Sequence, residues 1–219
     1  MKHFILILII CLSANSLFAQ NDKYVKAMQE RLAVLDTTRN AANLQDLANA
    51  FERIATAEKK EWLPYYYAAL AHINRAYNLL GGNLGGNASL IDPIVDKAEA
   101  LTAQAEALSP NNPEIFIIKK MYLSLRMMVD PQSRFMQYGP LAQAALETAK
   151  GLDPQNPRVY LLEGQDKFYT PEQYGGSKVQ AKQLFELAAQ KFDTFKPASA
   201  IAPSWGKTMN TYFLNQSAQ

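Results

Sequence analysis

Few side chains of this sequence have the types that covalent catalysis or metal binding requires. The 219 residues contain two histidines and one cysteine. His3 and Cys11 lie near the N-terminus, which leaves His72 as the only such side chain in the remaining sequence. Thiol–imidazole catalysis and the usual zinc sites need several Cys or His side chains close together. The sequence therefore argues against both kinds of site.

Two glycine-containing motifs are similar to phosphate-binding loops but lack the required spacing. The tripeptide "GKT" at 206–208 resembles the end of a P-loop, but Ile201 stands where that loop needs its first glycine. In "GGNLGGN" at 81–87, Leu84 interrupts the glycine spacing of a dinucleotide fingerprint, and no strand is predicted before it. No pair of acidic residues is singled out by its spacing. We predict that the protein is not an enzyme and has no cofactor.

The first residues predict export. Lys2 provides a positive start, an unbroken apolar run covers residues 4–12, and a polar step leads to Ala19. This layout is typical of a secretory signal peptide cleaved after Ala19, and the run is too short for a membrane span of about 20 residues. The predicted mature chain, residues 20–219, is a single domain in the periplasm or outside the cell.

The charge balance gives no reason to expect a nucleic acid or an anionic membrane as partner. The formal net charge is +2, and removal of Lys2 with the signal peptide lowers it to +1. The mature chain also has no cysteine, which is ordinary for an exported bacterial protein and less so for a secreted animal domain.

A repeated phrase indicates how the chain is organised. "LSPNNPEIF" at 108–116 recurs as "LDPQNPRVY" at 152–160, without a gap and at an offset of 44 residues. In each phrase the first proline ends a helix, and the Asn-Pro step begins the next one with a cap followed by a tolerated proline. Each phrase is therefore a predicted joint between two helices of a repeated unit.

The apolar spacing between such joints is helical, and no segment alternates with the two-residue period of a strand. "SKVQ" at 177–180 is a capping box that marks another helix start. The predicted loops include the glycine-rich 81–87 and "DPQSRFMQYG" at 130–139. We predict four hairpins and a terminal helix, with the nine helices near residues 22–37, 43–60, 64–80, 92–109, 113–130, 140–152, 157–169, 177–193 and 203–215.

The second helix of each predicted hairpin carries a stripe of small and large residues. Ala142, Leu146 and Ala149 form one stripe, and related stripes occur within 98–105, 181–188 and, more weakly, 50–57. With Tyr160 and Gly164 on the preceding helices, these stripes resemble the tetratricopeptide repeat (TPR) family over residues 43–195. The resemblance implies an all-α fold, a right-handed α-α superhelix (a TPR-like solenoid) of about four hairpins with a C-terminal capping helix at 203–219. Inserted loops account for an offset longer than the family period of about 34 residues.

Two further stretches carry a resemblance to exported proteins. "TPEQYGG" at 170–176 resembles an aromatic-Gly-Gly turn of exported repeat proteins from Bacteroidota. "SLFAQ" at 16–20 resembles the signal ends of the same proteins. Both stretches agree with the predicted export.

The TPR resemblance implies a concave groove, lined by the first helices, that binds a peptide or the surface of another protein. If Tyr67 and Tyr160 are packing positions, helix spacing turns six other side chains toward this groove. They are Tyr65, His72, Arg75, Arg158, Gln165 and Phe168. For His72 a core position is the alternative, since a lone histidine on an alanine-rich helix is commonly structural.

These observations favour a non-enzymatic scaffold that holds a protein or peptide ligand of the cell envelope, because tyrosine and arginine often anchor interfaces. The alternative is a periplasmic solute- or glycan-binding protein of the same fold. In that case tyrosine rings stack on a small ligand and the glycine-rich loops act as lids over it.

Overall fold

Helices form all the regular secondary structure of the computed structural model, which describes residues 22–35, 37–38, 40–82 and 84–217. Over these ranges there is no strand, and the predicted all-α class is confirmed. The predicted signal peptide at 1–19 lies outside the described residues. The helices are α1 (22–35), α2 (Ala41–Ala57), α3 (Trp62–Leu80), α4 (Ala88–Leu108), α5 (Pro113–Met128), α6 (Pro131–Leu152), α7 (Pro157–Tyr169), a 3₁₀ turn (Glu172–Tyr174), α8 (Lys178–Thr194) and α9 (Lys207–Ser217).

The cap geometry confirms the helix starts predicted at both repeated phrases. Asn112 Oδ1 accepts a hydrogen bond from the backbone N–H two residues later at 3.0 Å, and Asn156 Oδ1 accepts the equivalent bond at 3.1 Å. At the start of α8, Ser177 Oγ accepts from the N–H three residues later at 3.2 Å. Each such cap contributes about 1 kcal/mol to helix stability. These joints are therefore specified by local sequence.

The stretch "DPQSRFMQYG" is helical, so its predicted assignment to a loop is wrong. Asp130 caps a helix that begins at Pro131 and continues through Pro140 as α6. Arg134 forms a bidentate pair with Asp92 of α4 at 2.7 and 2.8 Å, which holds the first turns of α6 in place. Gly-Pro indicates a helix start on local grounds, but tertiary contacts of α6 with α4 and α5 override that signal.

The glycine-rich segment between α3 and α4 is hydrogen-bonded to the end of α5. Gly85 and Gly86 donate backbone hydrogen bonds to the carbonyls of Met128 and Val129, each at 2.9 Å. Both glycines have positive φ, a conformation that glycine adopts without steric cost. Helix α4 starts at Ala88, earlier than predicted, and includes Pro93 within the helix. The segment therefore lies against α5, and these bonds give no support to a role as a lid.

Neighbouring helices pack against each other in chain order. Helix α3 packs on α2 and α4, α5 on α6, α7 on α8, and α8 on α9. The small–large–small stripe of α6 is buried, as are the stripes of α4 and α8. Tyr67 and Tyr160 are also buried, in agreement with their predicted packing positions. Since burial of apolar area contributes about 25 cal/mol per Å², these helix contacts provide the main stabilising term.

Gly164 allows α7 to approach α8 closely. A Cβ atom at this position would lie 2.5 Å from Cε1 and 2.8 Å from Cδ1 of Phe185. That ring is fully buried and stacks on Phe213 at a centroid distance of 5.2 Å, so it has little room to move. We expect Gly164→Ala to lower the free energy of unfolding by about 1–3 kcal/mol, because overpacking outweighs the gain in helix propensity.

Urea denaturation measures this effect, and α6 offers a matched control. A Cβ atom at Gly151 would meet no atom within 4 Å. Gly151→Ala is therefore expected to be neutral or slightly stabilising. Equal effects of the two substitutions would contradict the close approach of α7 and α8 at Gly164.

Candidate functional site

Arg158 lies in the core, so the prediction that it faces an open groove is wrong. The residue is 0% exposed and forms an ion pair with Glu114 of α5. Its Nε donates to the two carboxylate oxygens of Glu114 at 3.1 and 3.2 Å, and Asn156 donates to the same carboxylate at 2.6 Å. Arg158 Nη1 donates to the carbonyl of Trp205 at 3.2 Å. All three guanidinium nitrogens donate hydrogen bonds, and these bonds hold α5, α7 and the C-terminal part of the chain together.

Residues 195–206, which we call the crossing segment, return from the end of α8 to the first turns of α3. Tyr67 Oη donates to the carbonyl of Ile201 at 3.0 Å. Trp205 Nε1 donates to Tyr66 Oη at 2.7 Å. The crossing segment therefore covers the side of α3 that carries Tyr66 and Tyr67. Trp205 belongs to this segment and not to the terminal helix, which starts later than predicted.

His72 is buried in α3, which agrees with its alternative assignment to the core. Its Nε2 lies 3.0 Å from Glu52 Oε1, and its Nδ1 has no hydrogen-bond partner in the described part of the chain. Burial lowers the pKa of His72, so the ring is mainly neutral at pH 7. Tyr65 and Arg75, on the same helix, are half-buried. The predicted exposure of His72 on a groove face is therefore wrong.

Gln165 and Phe168 lie on α7 beside α9, whereas Tyr65, His72 and Arg75 lie on α3. Gln165 Nε2 donates to Met209 Sδ at 3.2 Å, and the Phe168 ring contacts the Phe213 ring at 5.7 Å. The six predicted residues therefore lie on the two helices to which the sequence assigns them, three on α3 and three on α7. Of the six, Phe168 lines a cleft described next.

An open cleft of about 410 Å³ lies at the turn between α7 and α8. We call it the aromatic cleft; its lining residues are Lys167, Phe168, Tyr169, Thr170, Pro171, Glu172, Ser177 and Lys178. Tyr169 is 65% exposed, and its ring contacts Phe213 edge-on at 5.8 Å. Tyr212 of α9 is 57% exposed and packs on the same Phe213 ring at 5.3 Å. Exposed aromatic rings beside a cleft are typical of a ligand site.

Two lysines give the aromatic cleft a net positive charge. Lys178 Nζ lies 3.2 Å from the centroid of the Phe168 ring, and it forms no ion pair in the described part of the chain. Lys167 Nζ donates to the carbonyl of Gly175 at 3.0 Å. Glu172 is the one acidic residue among the lining side chains. Such a site is suited to a flat apolar molecule that carries carboxylates.

Tyr169 is a neutral phenol at physiological pH. Partial burial and the neighbouring Tyr212 raise the pKa of Tyr169 above its ordinary value. A raised pKa disfavours the phenolate, which is the form of tyrosine that binds a metal ion. The described residues also contain no group of three His, Cys, Asp or Glu side chains that could hold a metal ion. The cleft therefore offers stacking and hydrogen bonding to a ligand more readily than coordination.

The turn that shapes the aromatic cleft requires glycine. A Cβ atom at Gly176 would lie 1.7 Å from the carbonyl oxygen of Thr170, so no other residue fits this backbone. The aromatic-Gly-Gly stretch is a sequence signal for this turn, but Tyr169 and Lys178, which flank it, are not among the predicted site residues. Tyr212 reaches the same place from α9, and the sequence contains no local signal for that contact.

No helix in the described part of the chain combines the length and apolarity needed to cross a membrane.

Comparison with known proteins identifies one similar structure. No protein-family model and no curated protein sequence matches the chain. The solved structure of the HusA haemophore from Porphyromonas gingivalis is similar, with a TM-score of 0.77 and 31% sequence identity over 89% of this chain and 92% of that chain. The chain therefore belongs to the same family as the HusA haemophore.

Proposed function

We propose that this protein is an exported, non-enzymatic binding protein for haem or a related porphyrin. The observation that carries the proposal is its 31% identity to a haemophore over nearly the whole of both chains. The signal-peptide layout of residues 1–19 supports export. The lack of catalytic motifs in the sequence supports binding over catalysis. Among the roles predicted from sequence, the small-ligand alternative is thereby favoured over the peptide scaffold.

The aromatic cleft is the proposed porphyrin site. A porphyrin is a flat, largely apolar macrocycle, and haem carries two propionate carboxylates on one edge. Tyr169 and Tyr212 present exposed rings on which such a macrocycle can stack. Lys178, which has no acidic partner in the described residues, can pair with a propionate. The volume of about 410 Å³ lies in the range of small-molecule sites.

Binding of a protein partner stays a second candidate, favoured by exposed apolar side chains on α6. Phe135 and Met136 are 56% and 82% exposed, and Leu141 is also exposed. Exposed apolar side chains so close together are uncommon without a binding role. Capture from an envelope extract, compared with a variant carrying Phe135→Ala and Met136→Ala, separates this function from porphyrin binding.

An absorbance titration tests the porphyrin proposal and its mechanism. The purified chain from Gln20 onward is titrated with haem and, separately, with iron-free protoporphyrin IX. Because the cleft offers stacking rings and cations instead of a free histidine or cysteine ligand, we expect both to bind, with dissociation constants within about threefold of each other. Binding of haem alone would contradict the stacking mechanism. Failure of both compounds to bind would contradict the proposed function.

A further inference from the structure

A second cleft, of about 300 Å³, lies between α1 and α2. We call it the N-terminal cleft; its lining residues are Lys23, Tyr24, Ala27, Arg31, Ala50, Arg53, Ile54, Ala57 and Glu58. The small–large–small stripe of α2 forms part of it. Ala50 is buried, but Ile54 is half-buried and Ala57 is exposed, whereas the equivalent residues of α4, α6 and α8 are buried. Helix α1 therefore leaves the stripe of the first hairpin partly open.

Three cations at the N-terminal cleft have no acidic partner among the described residues. Lys23, Arg31 and Arg53 line it, and none of them forms an ion pair or hydrogen bond within the described residues. Glu58 is the one acid among the lining side chains, so positive charges prevail. Elsewhere, Arg126 and Arg158 are paired with carboxylates. The fold thus does not account for this group of cations, and a cleft lined by one sign of charge attracts ligands of the opposite sign.

Tyr24 adds a buried polar group to the same cleft. The residue is 7% exposed, and its hydroxyl finds no hydrogen-bond partner in the described part of the chain. Burial, followed by the nearby carboxylates of Glu61 and Glu58, raises the pKa of Tyr24, so the hydroxyl keeps its proton. Buried polar groups in native proteins are normally paired. A ligand oxygen that accepts from this hydroxyl would supply the missing partner.

We propose that the N-terminal cleft binds a small carboxylate with a short apolar body. The carboxylate accepts a hydrogen bond from Tyr24 and pairs with Arg31 or Arg53. The apolar body covers Ala27 and Ile54. Inorganic phosphate would leave these apolar side chains uncovered, and a carboxylate with a hydrocarbon chain is therefore the better match. The inference is independent of porphyrin binding, because the aromatic cleft is lined by α7, the following turn and the start of α8.

An NMR titration of the ¹⁵N-labelled chain with sodium butyrate tests this proposal. We expect saturating shifts of the backbone amides of α1 and α2 around the cleft, with a dissociation constant on the order of 1 mM. Butylamine has the same apolar body and the opposite charge, and phosphate has the charge without the apolar body. Neither is expected to bind. Absence of saturation with butyrate, or equal binding of phosphate or butylamine, would overturn the proposal.

Matched variants show whether butyrate binds to the arginines of the cleft or to positive charge anywhere on the surface. Arg31→Gln with Arg53→Gln is expected to weaken butyrate binding at least about tenfold. Lys59→Gln with Lys60→Gln removes the same charge from exposed positions that do not line the cleft, and it should leave the affinity unchanged. An equal loss in the control would overturn the proposal.

Two further measurements show whether the Tyr24 hydroxyl serves binding or only stability, and whether this cleft is separate from the haem site. Tyr24→Phe keeps the ring and removes the unpaired hydroxyl, so we expect equal or higher stability together with about fivefold weaker butyrate binding. Unchanged butyrate binding would show that the Tyr24 hydroxyl does not contact the ligand and would contradict the proposed hydrogen bond. The double arginine variant is expected to keep its haem affinity. Loss of haem binding in that variant would assign the porphyrin to this cleft and contradict the separate carboxylate site.

Discussion

Replacing Tyr169 and Tyr212 together by alanine is expected to weaken haem binding by about 10- to 100-fold. Each exposed ring supplies apolar area and a stacking face, and removal of such a contact costs about 1–2 kcal/mol, where 1.4 kcal/mol is a factor of ten. The two rings belong to different helices, α7 and α9, and both contact Phe213. Absorbance titration of the variant with haem measures the effect.

Two control variants show whether the loss comes from stacking at this cleft. Tyr169→Phe keeps the ring without the hydroxyl, and we expect it to retain haem affinity within about threefold. A large loss in this variant would indicate that the phenol oxygen contacts the haem and that stacking of the ring is not sufficient. Phe135→Ala with Met136→Ala removes a similar exposed apolar area from α6, and haem affinity should be unaffected. A loss there, with none in the tyrosine variant, would assign the porphyrin to α6.

Replacing Arg158 by leucine is expected to lower the free energy of unfolding by about 3–5 kcal/mol. The substitution leaves the carboxylate of Glu114 buried without a cation and removes the hydrogen bond to the Trp205 carbonyl. Because domains of this size unfold with about 5–15 kcal/mol, the loss is a large part of the total. Urea denaturation followed by tryptophan fluorescence measures the stability; of the two tryptophans, Trp62 lies in α3 and Trp205 in the crossing segment.

Two controls accompany the Arg158→Leu variant: a substitution in an exposed ion pair, and a double variant that removes both charges of the buried pair. Lys207 and Asp193 are 2.9 Å apart on the surface, and Lys207→Ala should cost less than about 1 kcal/mol. Combining Arg158→Leu with Glu114→Leu removes both charges, and it should be more stable than Arg158→Leu alone. A loss in Arg158→Leu no larger than that in Lys207→Ala would contradict the structural role of the buried pair.

The buried pair also bears on the groove implied by the TPR resemblance. The sequence assigns Arg158 to a ligand face, but the structure uses it, together with Tyr66 and Tyr67, to bind the crossing segment. The regular superhelix and a peptide in its groove therefore stay predictions. The stability prediction and the haem prediction are separable, since the former concerns α5 and α7 and the latter the turn between α7 and α8.

The helices and their starts could be predicted from the sequence because they depend on neighbouring residues. Asn112 and Asn156 cap helices through amides two residues away, and the buried stripe of α6 follows from helical periodicity alone. The same local rules misplaced the start of α6, because Pro140 signals a helix start and the bond between Arg134 and Asp92 outweighs it.

Only the tertiary structure decided which polar side chains face a ligand. Tyr66 meets Trp205 across 139 positions, and Arg158 meets Glu114 across 44. Helical spacing shows which side of a helix a residue occupies, but not what returns to cover that side. Arginine and histidine in this chain could therefore be read as a binding face, although the core needs Arg158 to neutralise Glu114. Both clefts combine side chains from separate helices or from a turn, so local helical spacing alone does not locate them.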